Sequence, residues 1–166
     1  MIFVALGTQK FQMNRLIEAV DVQKGKGLIK EEIFAQSGNS DYMPGNFESK
    51  AFLNSDEFNN QIEKSDIVIT HSGVSTIIKA LMLGKKVIVV PRLAKFGEHV
   101  DNHQMEIAET FSELNYVFMT LEVNDLYKII EDVKTHKFNS YVSGNDIMID
   151  TIKSFLANGS KIWRFL

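Results

Sequence analysis

Three stretches of this chain concentrate polar residues that could handle an anion: His71-Ser72-Gly73-Val74-Ser75-Thr76, Arg92, and Glu98-His99-Val100-Asp101-Asn102-His103-Gln104. The first follows the β-branched run Ile67-Val68-Ile69 and opens a segment of small residues suited to a helix start. The other two follow Val87-Ile88-Val89-Val90-Pro91. Two neighbouring strand ends that aim polar groups and an open helix N-terminus at one point form an anion site. The arrangement points to a nucleotide diphosphate.

The elements that must position these residues alternate in type. The apolar runs predict strands over Ile2–Leu6, Ile33–Ala35, Ser49–Leu53, Asp66–Ile69, Lys86–Val90 and Tyr116–Thr120. Helical spacing of Met13, Leu16, Ile17 and Val20 predicts a helix over about 11–21, stopped at Lys24-Gly25-Lys26-Gly27. Ser55-Asp56-Glu57 reads as a helix cap before Phe58 and Ile62, and further helices are expected over 74–83, 101–114, 125–133 and 145–156. Near-continuous apolar strands separated by helices imply an α/β fold, a Rossmann-like parallel sheet with helices on both faces. In such sheets ligands bind beyond the carboxyl ends of the strands, where Gly7-Thr8-Gln9, His71-Ser72-Gly73 and the Arg92–Gln104 segment all fall.

Composition bounds the function. The chain has 166 residues, 45% hydrophobic and 23% charged, which fits one domain with a sizeable core. A net charge of -3 gives no basic excess with which to grip nucleic acid. The absence of cysteine excludes a disulfide scaffold and thiolate metal ligation. No run approaches the length of a membrane span, and the start lacks the basic flank of a signal peptide, so a cytoplasmic domain is expected. His71, His99 and His103 have no ligand spacing, and no metal is expected. The first strand is not followed by Gly-x-Gly-x-x-Gly, which argues against a dinucleotide-dependent oxidoreductase or epimerase.

The residues His71 to Thr76, Val89-Val90-Pro91-Arg92 and Asn102-His103-Gln104 resemble the C-terminal, nucleotide-sugar-binding half of GT-B glycosyltransferases, and within them the glycosyltransferase family 28 C-terminal domain. Phe3-Val4-Ala5-Leu6-Gly7-Thr8-Gln9-Lys10-Phe11, Ser40-Asp41-Tyr42 and Phe96-Gly97-Glu98-His99-Val100 are similar to short bacterial members in capsule and exopolysaccharide synthesis. Those members resemble in turn the catalytic subunit of the eukaryotic dolichol-linked N-acetylglucosamine transferase. The resemblance implies donor-binding roles for Gly7, Thr8, His71, Gly73, Ser75, Thr76, Lys79, Arg92, Asn102, His103 and Gln104. His71 would donate to the diphosphate, as imidazolium or through one nitrogen of the neutral ring; a buried histidine hydrogen-bonded to backbone is the alternative. Asp101 or Asn102 could equally be a plain N-cap, and Arg92 could pair with phosphate or with Glu98. For the base that takes the acceptor proton, His99 and Glu98 are the candidates, a partner being the alternative; Gln9 stands where some relatives carry histidine.

Lys79 departs from the family pattern. An acidic residue that accepts from the ribose hydroxyls is usual there, so Lys79 either faces phosphate or turns to solvent. Because a GT-B enzyme needs two Rossmann-like domains and this length accommodates one, the resemblance implies a heteromer. Its expected partner is a membrane-anchored subunit on the acceptor side, which would recruit the chain to the inner face of the cell membrane. The expected reaction is inverting transfer of a hexose, with UDP-galactose favoured, to a polyprenyl-diphosphate-linked sugar, without cofactor. A non-catalytic UDP-sugar-binding or regulatory subunit is the alternative. Ile162-Trp163-Arg164-Phe165-Leu166 could serve an interface or fold back on the core.

Overall fold

The computed structural model describes residues 1–101 and 103–141. Six strands, β1 (Ile2–Ala5), β2 (Ile33–Gln36), β3 (Glu48–Lys50), β4 (Ile67–Thr70), β5 (Lys86–Val89) and β6 (Phe118–Met119), form one sheet in the order β3-β2-β1-β4-β5-β6. Every neighbouring pair is parallel. The order reverses direction between β1 and β4, which makes their carboxyl ends the topological switch point.

Alternate residues of each strand feed two cores. Ile2, Val4 and Leu6 pack with Leu16, Ile17 and Val20 of α1 (Asn14–Gly25) and with Leu126, Ile130 and Val133 of α5 (Leu126–Thr135). Phe3 and Ala5 face the other way, with Ile62 of α2 (Ser55–Lys64), Ile77 and Ala80 of α3 (Val74–Met82), and Ala108 and Phe111 of α4 (His103–Glu113). The period-two side-chain alternation of a strand therefore clothes both faces. The expected layers are present.

The element ends differ from the sequence expectation for specific reasons. Helix α1 starts at Asn14 rather than near Phe11, because the Phe11 and Gln12 carbonyls accept from Arg92, and Gln12 Oε1 accepts from the Asn14 N–H (2.7 Å). It runs on past Asp21 because Gln23 is buried and used: its amide donates to the Ala19 and Val123 carbonyls and accepts from the Tyr127 N–H. Asn54, not Ser55, caps α2 in a reciprocal box with Glu57. Strand β3 lies earlier than expected, and Gln36 Oε1 takes the Leu53 N–H. The expected 145–156 helix and the 162–166 tail lie outside the described residues.

One buried carboxylate organises the β2–β3 connection. Asp21, 5% exposed, accepts from the N–H groups of Gly45 (3.1 Å) and Asn46 (2.8 Å), from Tyr42 Oη (2.9 Å) and from Asn46 Nδ2 (3.1 Å). Burial works against its charged form, but these donors outweigh it and hold the carboxyl below its ordinary range.

Candidate functional site

At the switch point the chain leaves β4 through His71 and enters α3 at Gly73. His71 is 7% exposed, and its ring is wedged between two glycines. A Cβ on Gly7 would lie 2.5 Å from His71 Cε1, and one on Gly73 would lie 2.7 Å from His71 Nε2. Only residues without side chains let the β1 loop, the imidazole and the α3 entry approach this closely. Gly38 does the same for the adjoining backbone, since its Cβ would fall 2.5 Å from the Gly7 carbonyl oxygen. Gly73 caps α3 without a side-chain hydrogen bond, and the helix begins with Val74 and Ser75, whose N–H groups have no intrahelical acceptor. Ser72 Oγ is buried beside this terminus with no hydrogen-bond partner.

The His71 ring is held neutral. Thr70 Oγ1 donates to the Ala5 carbonyl (2.8 Å), so both Thr70 Oγ1 (3.4 Å) and Ala5 O (3.3 Å) present lone pairs to His71 Nδ1. The hydrogen-bond network therefore assigns the proton to Nδ1 and leaves Nε2 an acceptor. Burial is the main cause that lowers the His71 pKa from 6.5 to about 4; the Arg92 charge adds to it, the Ala5 hydrogen bond opposes it, and His99 contributes least. The imidazolium reading is corrected accordingly: in the free protein near neutral pH this ring offers no N–H toward a phosphate through Nε2.

A pH dependence of stability follows. Between pH 6.5 and about 4 the unfolded chain binds the His71 proton and the folded chain does not, so stability falls as pH falls through that window. The expected loss is about 3 kcal/mol, nearly all of it incurred by pH 4. Urea melts from pH 7 to pH 4 on wild type and His71→Gln check this: the variant should show a distinctly flatter slope above pH 5, and parallel curves would refute it.

The loop after β5 is built on buried charge. Arg92, 1% exposed, donates through Nη1 to the carbonyls of Phe11 (3.0 Å), Gln12 (3.0 Å) and Glu98 (3.2 Å), and through Nη2 to that of Leu6 (2.6 Å). Its own N–H donates to Gln104 Oε1 (3.2 Å). The fully buried Glu98 carboxylate takes a two-pronged bond from Arg15 (3.1 and 3.0 Å) and accepts from the Leu93 N–H (3.0 Å). At the rim, His99 packs its ring on Phe11 (5.8 Å between centroids) and sets Nδ1 2.9 Å from Asp101 Oδ1. Asp101 Oδ1 also accepts from the His103 N–H (3.0 Å) at the start of α4.

A parallel sheet ordered 3-2-1-4-5-6, with a histidine, an open helix start and a polar loop at its switch point, is now joined by a family match: the glycosyltransferase family 28 C-terminal domain covers residues 1–148. The chain belongs to that family. Among relatives, it is 35% identical over 96 residues to the UDP-N-acetylglucosamine transferase subunit ALG13 of Candida albicans, a match over 58% of this chain and 27% of that protein. The human protein of that name is 27% identical over 70% of this chain and 11% of its own length. For the Candida glabrata protein the figures are 30% identity over 63% and 50%. The chain thus spans half or less of each of these relatives. Solved structures share the fold: the calicheamicin glycosyltransferase CalG4 has a TM-score of 0.59 at 16% identity, over 81% of this chain and 34% of its own. Acinetobacter baumannii MurG has a TM-score of 0.53 at 17% identity, over 80% and 41%. The Rossmann-like reading, as the C-terminal half of a GT-B architecture, holds.

Within this family 28 domain, the structure gathers some of the predicted residues and sets others aside. Gly7, His71 and Gly73 meet in one contact, and Ser75 and Thr76 stand in the first turn of α3, Ser75 exposed and Thr76 buried. Thr8 is exposed in the loop beyond Gly7, and His103 and Gln104 open α4. Asn102 lies outside the described residues. Arg92 does not pair with the Glu98 side chain; it is 1% exposed, and both of its terminal nitrogens are bound to backbone carbonyls, which corrects its reading as a donor-binding residue. Glu98 is corrected as a base, since both oxygens are engaged by Arg15 and one also by Leu93. Lys79 turns its ammonium to Asn59 Oδ1 of α2. Missed in the sequence was Arg15, which reads as a surface residue of an amphipathic helix; Ser72, read from the sequence as a tolerated small residue within the anion-handling run, is found buried with its hydroxyl unpartnered.

Proposed function

We propose that this chain is the donor-binding, catalytic subunit of a two-subunit inverting glycosyltransferase. It moves a hexose, with UDP-galactose as the favoured donor, to a polyprenyl-diphosphate-linked sugar in exopolysaccharide or capsule synthesis. The observation that carries the reading is the open N-terminus of α3 at the switch point, with Ser72 Oγ buried and unpartnered beside it. The N–H groups of Val74 and Ser75, with the Ser75 and Thr76 hydroxyls, take the diphosphate, and the helix terminus stabilises the charge that builds there as the C1–O bond breaks. The helix supplies that stabilisation without a metal. Gly7 and Thr8 close the opposite side, and Asn102, His103 and Gln104 reach the sugar.

With Glu98 consumed, His99 is the group on this chain suited to take the acceptor proton. Asp101 holds its Nδ1, and Nε2 has no hydrogen bond to any described residue. The acceptor half, and recruitment to the inner face of the cell membrane, come from a membrane-anchored partner. A second reading, a non-catalytic UDP-sugar-binding or regulatory subunit, is favoured by Lys79. The family's usual carboxylate is missing at that position, and the ammonium is committed to Asn59.

The test is co-expression with a candidate membrane subunit, followed by transfer from UDP-galactose, UDP-glucose and UDP-N-acetylglucosamine to lipid-linked acceptors. Transfer from UDP-galactose by the pair, and by neither chain alone, is expected. Full activity of this chain alone would defeat the split-enzyme reading. UDP-sugar binding by the complex without transfer would favour the regulatory one.

A further inference from the structure

We propose that Arg15, Glu98 and Arg92 form a positioning unit for the donor site, a buried ionic latch that fixes the β1–α1 loop against the β5–α4 loop. Its functional consequence rests on the donor-site reading above. None of the three is placed to touch substrate: the three guanidinium nitrogens of Arg15, both Arg92 terminal nitrogens and both Glu98 oxygens are engaged within the protein, and Arg92 and Glu98 are at most 1% exposed.

What they hold is a segment that nothing else in the backbone holds. Among the described residues, 7–12 make no backbone–backbone hydrogen bond; the ladder ends at Leu6 and resumes with Leu16 bonding to Met13. Three of the four carbonyls gathered by the Arg92 side chain, those of Leu6, Phe11 and Gln12, flank or lie in that segment, and the fourth is Glu98's own. The Glu98 carboxylate then receives the Arg15 fork from the first turn of α1. Arg15 spends its remaining donors on the Pro91 (3.1 Å) and Leu121 (3.2 Å) carbonyls and lies 4.9 Å over the Phe96 ring. Gln12 Nε2 adds a bond to the Phe96 carbonyl (3.1 Å).

The loops after β1, β5 and β6 and the start of α1 are thus tied through three charged side chains. Bidentate, desolvated pairs of this kind fix geometry as well as energy. Two site contacts depend directly on it. Leu6, whose carbonyl Arg92 grips, is followed by Gly7 against the His71 ring, and the Arg92 N–H fixes the Gln104 amide.

The test uses the full chain with UDP as probe. In Glu98→Gln and in Arg15→Lys, exchange of the hydrogen-bonded amides that flank the two loops, those of Met13, Asn14, Phe96, Gly97 and Glu98, should quicken about tenfold without ligand, while α5 stays at its wild-type rate. The UDP dissociation constant, measured where each variant is fully folded, should rise about fivefold, with the double variant no worse than the poorer single one. Exchange that quickens equally in α5, or unchanged exchange and unchanged affinity in a UDP-binding wild type, would overturn the latch. Quickened loop exchange in a wild-type background that binds no UDP would uphold the latch and refute the donor reading. Should Glu98→Gln fail to fold, Arg15→Lys carries the same comparison.

Discussion

Arg92→Met should lower the stability of this domain by about 3–5 kcal/mol, the range for breaking a buried charged network by removing one partner. Methionine roughly fills the aliphatic volume, so the loss comes from groups left behind. The carbonyls of Leu6, Phe11, Gln12 and Glu98 lose their donor, and the buried Glu98–Arg15 pair remains without the neighbouring charge. Each orphaned buried carbonyl costs on the order of 1 kcal/mol, so several together reach the expected range. Arg92→Lys should rescue little, because one ammonium cannot reproduce a planar fork that reaches four carbonyls. Equilibrium urea unfolding at pH 7 checks both; a loss under about 1 kcal/mol for Arg92→Met would mean that water satisfies those carbonyls.

Gly7→Ala should cost about 3 kcal/mol, from two separable causes. The φ of Gly7 is +76°, which an alanine adopts at a penalty of about 1 kcal/mol, and its Cβ would meet His71 Cε1 at 2.5 Å. Gly73→Ala meets the same ring at 2.7 Å but from a φ of -71°, so it suffers the contact alone. A double-mutant comparison separates them. His71→Ala should relieve most of the Gly73→Ala penalty and only part of the Gly7→Ala penalty, because removing the ring leaves the backbone strain in place. Equal relief of the two in thermal melts would show that the positive φ is not what matters at Gly7.

The alternation of apolar runs determined the parallel sheet and the two-faced helical cover, because burial on both faces writes itself into each strand as an unbroken apolar segment. The strands read over Ile2–Leu6 and Asp66–Ile69 lie within one residue of those observed, Ile2–Ala5 and Ile67–Thr70. The place of the site was legible for the same reason: in such sheets polar residues after the strand ends can only gather at the carboxyl edge. The capping residue of α2 was read one position late, since Asn54 and Ser55 are both competent caps and only the reciprocal bond with Glu57 chooses between them.

The roles of the charged residues were a different matter. From the sequence Arg92 and Glu98 are six residues apart in a loop, Arg92 reading as a phosphate ligand or a partner of Glu98 and Glu98 as a base; Arg15, the true partner of the Glu98 carboxylate in the fold, stands 83 positions away on another element. Asp21 likewise finds Gly45 and Asn46 only after the β2–β3 connection folds back along α1. The protonation of His71 depends on its burial, on Arg92 and on the Ala5 carbonyl, brought from beyond the fifth strand and from the first to within reach of the fourth. Pattern fixes which apolar residues are buried, because their burial follows local periodicity. Which buried charge meets which partner is decided by tertiary proximity, because the desolvation that makes a pairing necessary exists only once the chain has closed around it.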